Sequence, residues 1–370
     1  MKTTLAALAA SLLAASAVQA APGKIVRTDH YIRIESAAET PNPGAGKIYV
    51  REVVSSKVKG VGRGVVLFVH GAGTPAEVAF DVPYKDFSWM AYLARAGFDV
   101  FSMDMEGYGR SSRPAPMDDP CNLAPEAQAE LIPGKLAAPC TPTYKHPVTT
   151  IQSDWTDLDV VVDHLRAQKH VKQVALVGWS QGGPRTAGYT ARHPEKISRL
   201  VLLAPAYNPT SPADRPAALP DAFVMTFQTH ADFKAGWDKQ VHCPEQYSQA
   251  TADAVWAEIA KSDPLGATWT PGGRRAPHVI GWGFNLPVVA KMTTPTLLVS
   301  GQYDGEVAQP RVRQLYDDLG SSKKVFIDLA CSSHDALWEK NHLLLFKASR
   351  EWLTKETVDG MSLGELKKGY

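Results

Sequence analysis

Apolar residues fall along the chain in short unbroken runs, separated by stretches in which they recur every three or four positions. "GVVLFVHGAG" (64–73), the run entering "VALVGWS" (174–180), "RLVLLAPA" (199–206), "PTLLVSG" (295–301) and "KKVFIDLA" (323–330) read as strands buried on both faces. "FDVFSMD" (98–104) is a further strand, and "HYIRIES" (30–36) and "KIYVREVV" (47–54) form an earlier pair around a Pro/Gly turn. Helical spacing predicts helices over Phe87–Ala96, stopped by Gly97, over Ile151–Ala167, after Ser180, and over "NHLLLFKASREWL" near the end. Asp154, Asp157 and Asp159 fall early in the second of these, where the helix dipole favours them. Strands alternating with helices predict an α/β fold, a mostly parallel sheet covered on both faces.

The alternation breaks twice. Residues 114–148 are Pro-rich with little periodicity and read as an insertion loop. Residues 207–290 are rich in Trp and Phe without a clear strand, which predicts an inserted helical cap on a core of residues 21–206 and 291–370. Phe223, Phe227, Trp237, Tyr247, Trp256, Trp269, Trp282 and Phe284 in the cap suit an apolar or aromatic substrate, although packing of the cap's own core accounts for more than half of them.

Residues 1–20 read as a leader and are set apart from the fold. Lys2, the apolar stretch Leu5–Val18 and the small-residue site Val18-Gln19-Ala20 have the pattern of a cleaved export signal, too short to span a bilayer comfortably. No cysteine follows the site, so no lipid or membrane anchor is expected. Removing Lys2 leaves 38 basic and 38 acidic residues, a formal charge of zero that argues against nucleic acid or an anionic membrane as partner. A small-molecule substrate remains, and the oligomeric state is left open. Export suits four cysteines. Cys121–Cys140 closes a short Pro-rich loop, and Cys243–Cys331 follows by elimination, the alternative being buried free thiols. Neither Cys nor His has zinc spacing, so no metal or other cofactor is expected.

Chemistry concentrates at "GWSQGG". A bare G-x-S-x-G is a weak signal, but here it ends an apolar strand and opens a helix, the setting that lifts a serine hydroxyl above a sheet. Gly178 and Gly182, on either side of Trp179 and Ser180, keep side chains out of that turn, and Pro184 falls in the first helical turn, where a missing N–H costs little. A serine nucleophile needs a base. His334, in "CSSHDALW", and Asp304, in "SGQYDGEV", each follow a strand's carboxyl end, with Glu306 and Asp335 as rival acids. His334 would take the Ser180 proton while Asp304 fixes its tautomer. The oxyanion donors would be the N–H of Gln181 and one from "HGAG", Ala72 foremost and Gly73 next, each worth about 2.7–4 kcal/mol in a transition state.

With "HGAG", "GWSQGG", "DMEGYGRSSRP" (104–114), Asp304 and His334 in place, the chain resembles the α/β-hydrolase superfamily, in its capped, epoxide-hydrolase-like or esterase branch. The resemblance spans residues 30–355 and implies an eight-stranded, mainly parallel sheet with the cap entering after the sixth strand. Relatives that open epoxides or displace halide use Asp where this chain has Ser180, so the resemblance points to acyl transfer, with a carboxylic ester as the leading substrate. Lactonase, amidase, acyltransferase, perhydrolase and carbon–carbon hydrolase activities share the same residues. An aminopeptidase would need a cap acid such as Asp232, Asp238 or Glu245. Outside enzymes, a ligand-binding homologue is the alternative.

Overall fold

The structure, a computed structural model, describes residues 23–370; the expected export signal lies outside the described residues. One sheet organises the chain. Its strands are β1 (Ile25–Glu35), β2 (Ala45–Ser55), β3 (Val65–Val69), β4 (Asp99–Met103), β5 (Val174–Trp179), β6 (Ile197–Leu203), β7 (Thr296–Gly301), β8 (Lys324–Leu329) and β9 (Leu363–Lys368). They lie in the order β1-β2-β4-β3-β5-β6-β7-β8-β9, and only β2 runs against its neighbours.

The central strands alternate two apolar faces. Val66, Phe68, Val177 and Trp179 point into one buried cluster with Trp89, Trp338 and Trp352. Val65, Leu67, Val69 and Leu176 point into another with Trp155, Leu158 and Val162. The predicted helices cover these faces: α1 (Trp89–Arg95), α2 (Ile151–Lys169), α3 (Gly182–Arg192) and α4 (His342–Lys355). Thr150 and Ser153 form a reciprocal capping box that starts α2, and His170 in a left-handed conformation ends it.

Three expectations need correction. The sheet has nine strands, not eight. The ninth, "LGELKK", alternates exposed and half-buried residues on the sheet edge and carries no apolar run to betray it. Residues 207–290 are not purely helical: Met225–Thr229 and Gly273–Pro277 pair antiparallel, and Val279–Ile280 pairs with Thr149–Thr150, alongside helices His230–Asp238 and Gln249–Ser262. These strands are short and include polar or charged residues, so hydrophobic periodicity does not reveal them. Finally, residues 114–148 are more than a loop. They contain a short helix, Pro125–Glu130, and Met117, Leu123, Leu131 and Val148 share a third apolar core with Val224, Met225, Phe227 and Trp269. Insertion and cap thus form one layer over the carboxyl ends of the strands.

Both disulfides join as expected, Cys121–Cys140 within the insertion and Cys243–Cys331 between the cap and the loop after β8.

Candidate active site

Ser180 sits on the corner between β5 and α3 with φ 57°, a left-handed conformation that costs a non-glycine residue strain. The corner is held from three sides. Ser180 N–H donates to the Leu203 carbonyl (2.9 Å), and its own carbonyl accepts from Gly183 (2.8 Å) and Ala206 (3.0 Å). The flanking glycines are there for space. A Cβ on Gly178 would stand 2.5 Å from the Gly182 carbonyl oxygen, and one on Gly182 would collide with the carbonyl of Val69. A Cβ on Gly71 would lie 2.8 Å from that of Ser180, so the "HGAG" loop runs directly against the serine.

Among the described residues, the N–H groups of Gln181, Ala72 and Gly73 have no protein acceptor. Gln181 caps α3 at its positive end, and Gly73 turns with φ +80°. Beneath the loop lies a group that motif reading missed. Arg185, fully buried on α3, donates to Asp154 (2.6 Å) and to the carbonyls of His70 (2.9 Å) and Gly71 (3.0 Å). It thereby fixes the loop's carbonyls inward. His70 is also buried; its Nδ1 donates to the Gly71 carbonyl (2.7 Å) and its Nε2 accepts from Met105 N–H (3.1 Å), which defines a neutral tautomer. Burial, then the nearby Arg185 charge, push its pKa well below the usual histidine value.

His334 and Asp304 meet on the far side. Nδ1 of His334 lies 2.9 Å and 3.0 Å from the two Asp304 carboxylate oxygens, and Asp304 also accepts from the N–H groups of Glu306 and Val307. Trp179 links this pair to the serine corner: its indole N–H donates to the His334 carbonyl (3.0 Å), and its ring centre lies 5.5 Å from the imidazole. Of the rival acids, Glu306 reaches the other ring nitrogen, Nε2, at 3.5 Å, and Asp335 forms no ion pair among the described residues. No hydrogen bond joins Ser180 Oγ to His334 among the described residues. Burial opposes the imidazolium, but the Asp304 hydrogen bond and charge, with Glu306 and Asp335 behind it, outweigh that penalty and raise the His334 pKa to about 9.

The cap reaches into this arrangement. Gln240 accepts through one oxygen from Gly305 N–H (2.8 Å) and His334 N–H (3.2 Å), tying the Asp304 and His334 loops together. Buried Glu339 accepts from Ser333 N–H (2.8 Å) and Oγ (2.6 Å), Trp237 (2.8 Å) and Gln246 (3.0 Å). Asp232, Asp238 and Glu245 are engaged elsewhere, capping a helix, pairing with Lys234 and pairing with Lys340. Of the cap aromatics, Trp237, Tyr247 and Trp256 pack with Trp338 and its cluster, whereas Trp282 and Phe284 join Tyr207 around a 260 Å³ cleft that reaches Gln181. Among the described residues, no three His, Cys, Asp or Glu side chains gather as metal ligands would.

A family model for the alpha/beta hydrolase fold matches residues 64–341. The chain belongs to the α/β-hydrolase family. No curated protein matches the sequence. Three solved structures share the hydrolase fold at low identity. A serine hydrolase from Cycloclasticus zankles is 14% identical, with a TM-score of 0.54 over 88% of this chain and 98% of that one. A thermophilic esterase from Thermogutta terrifontis is 15% identical, with a TM-score of 0.52 over 88% and 98%. An esterase from Rhodococcus sp. ECU1013 is 14% identical, with a TM-score of 0.53 over 84% and 95%. In this hydrolase the strained serine, the free amides and the His–acid pair all lie where β3, β5, β7 and β8 end.

Proposed function

We propose that this α/β hydrolase is an exported serine esterase that works through an acyl-enzyme. The observation that carries this reading is Ser180 itself, a non-glycine residue held at φ 57° beside three unpartnered amides and tied through Trp179 to a His–Asp pair. Strain of this kind persists only where the surroundings impose it, and here it presents a hydroxyl.

In the mechanism, neutral His334 takes the Ser180 proton through Nε2 as Oγ attacks the ester carbonyl. Asp304 on Nδ1 holds the tautomer and offsets the imidazolium charge. The carbonyl oxygen, now an anion, is received by the N–H of Gln181 and by Ala72 or Gly73. The imidazolium then protonates the departing alcohol, and water, deprotonated by His334, releases the acid. The cleft bounded by Tyr207, Trp282 and Phe284 suits an apolar substituent. Two disulfides and the leader pattern support export, and no helix of the described residues is long and apolar enough to cross a membrane.

The test is hydrolysis of p-nitrophenyl butyrate with fluorophosphonate labelling, on wild type and Ser180→Ala. The wild type should turn over and take the label, and the variant should do neither while keeping its melting temperature. Undiminished turnover in the variant would remove Ser180 from the mechanism.

A further inference from the structure

Two arginines stand side by side in the cap strand Gly273–Pro277, and neighbouring strand residues face opposite ways. Arg275 is paired with carboxylates. It donates to both oxygens of Asp263 (3.0 Å and 2.7 Å), to Asp118 (2.7 Å) and to the Met117 carbonyl (2.7 Å), all within the cap and insertion. Its role is structural.

Arg274 differs in every respect. Its guanidinium lies over Gly73 of the "HGAG" loop, so close that a Cβ there would collide with Nη1, Cζ and Nη2. Its partners are neutral: Gln228 Oε1 accepts from Nε (2.9 Å) and Nη2, and Thr74 Oγ1 accepts from Nη1 (3.3 Å). Among the described residues it has no carboxylate within ion-pair distance; Glu306 and Asp335 act on it only through space. Burial lowers its pKa to about 10, which leaves it charged at neutral pH. A guanidinium has five donors, and three bonds leave donors in hand. A part-buried cation without an anion is costly unless something completes it.

We propose that Arg274 anchors a carboxylate carried by the substrate, so that the ester cleaved bears a second, free acid group. The inference rests on the esterase reading and adds the substrate class to it. The planar fork of Arg274 suits a carboxylate, and its place over Gly73 sets that acid close to the scissile carbonyl.

The experiment compares kcat/KM for two ester pairs, one with the acid on the acyl side (mono-p-nitrophenyl adipate against p-nitrophenyl heptanoate) and one with it on the alcohol side (4-acetoxybenzoate against 4-methylphenyl acetate). Wild type should prefer the anionic member of at least one pair. Arg274→Gln should cut that preference by about 10- to 100-fold, the range of a lost charged hydrogen bond, with Arg274→Lys in between and neutral esters little changed. Anionic and neutral esters falling together, or no anionic preference in wild type, would overturn the proposal. A readout without turnover separates it from the esterase reading: calorimetry of adipate and 4-acetamidobenzoate with Ser180→Ala. Binding lost in the Ser180→Ala/Arg274→Gln double variant supports the anchor even if no ester is cleaved. Binding that survives Arg274→Gln, or is absent from Ser180→Ala, refutes it even if esters are cleaved.

Discussion

The charge around His334 makes a quantitative demand on the pH profile. In the proposed mechanism the histidine acts as base only when neutral, yet its pKa is raised to about 9, because the Asp304 bond and the Glu306 and Asp335 charges overcome the burial that favours the neutral ring. Two units below that value only about 1% of the enzyme carries a neutral imidazole. With p-nitrophenyl butyrate, kcat/KM should therefore climb about tenfold per pH unit between pH 6 and 8 and level off near 9. Glu306 is the removable part of the effect. Its carboxylate stands 3.5 Å from Nε2, with its side chain 60% exposed. Such exposure calls for the dielectric of water, where a charge at that distance is worth about 1.2 kcal/mol, a little under one pKa unit. Glu306→Gln should move the rising limb down by slightly less than one unit and raise kcat/KM at pH 7 several-fold. In about 1 M salt the wild-type limb should shift the same way by a smaller amount, since exposed charges are screened. A wild-type limb near the ordinary histidine value of 6.5, unmoved by Glu306→Gln, would refute the reasoning.

Other consequences are as direct. Replacing Cys243 and Cys331 by serine opens a loop of 88 residues, for which the chain-entropy relation gives about 4.5 kcal/mol, against about 3 kcal/mol for Cys121 and Cys140 at 19. Urea unfolding should show that order. Because Cys331 precedes His334 by three residues, only the first pair should also depress kcat. Arg185→Met leaves Asp154 buried without its cation and should cost about 3–5 kcal/mol. Adding Asp154→Leu should recover most of that stability in the same urea assay. It should not recover kcat, because the His70 carbonyl would still lack its donor and the Gly71 carbonyl would keep only His70 Nδ1.

What could be read from the sequence follows the range of the interactions involved. Six of the eight expected strands were legible as local apolar runs, and β1 and β2 by alternation around a Pro/Gly turn. β9 was not, since its Glu365, Lys367 and Lys368 suit an exposed edge and its pairing with β8 is a tertiary event. Ser180 was legible because strand, glycines and helix are contiguous. His334 and Asp304 were legible because each follows a strand's carboxyl end. Arg185 escaped notice: its meaning lies in Asp154, 31 positions away, and in two carbonyls more than 110 away. Arg274 and Arg275 are adjacent and chemically identical in the sequence. Only the strand's alternation, setting one against Asp263 and the other over Gly73, tells them apart.

The cap does more than cover the site. A cap that only covered the site would touch substrate and leave the acid–base loops to the core. Here Gln240 holds the backbone of both loops with a single oxygen, Cys243 is bonded to the loop before His334, and Trp237 and Gln246 donate to Glu339, which in turn holds Ser333. The core alone therefore leaves His334 N–H without its Gln240 acceptor and Glu339, a buried acid, with fewer donors. Substitutions in the cap should alter the pH profile of the reaction as well as its selectivity, because the groups that position the base and those that shape the pocket belong to the same segment of chain.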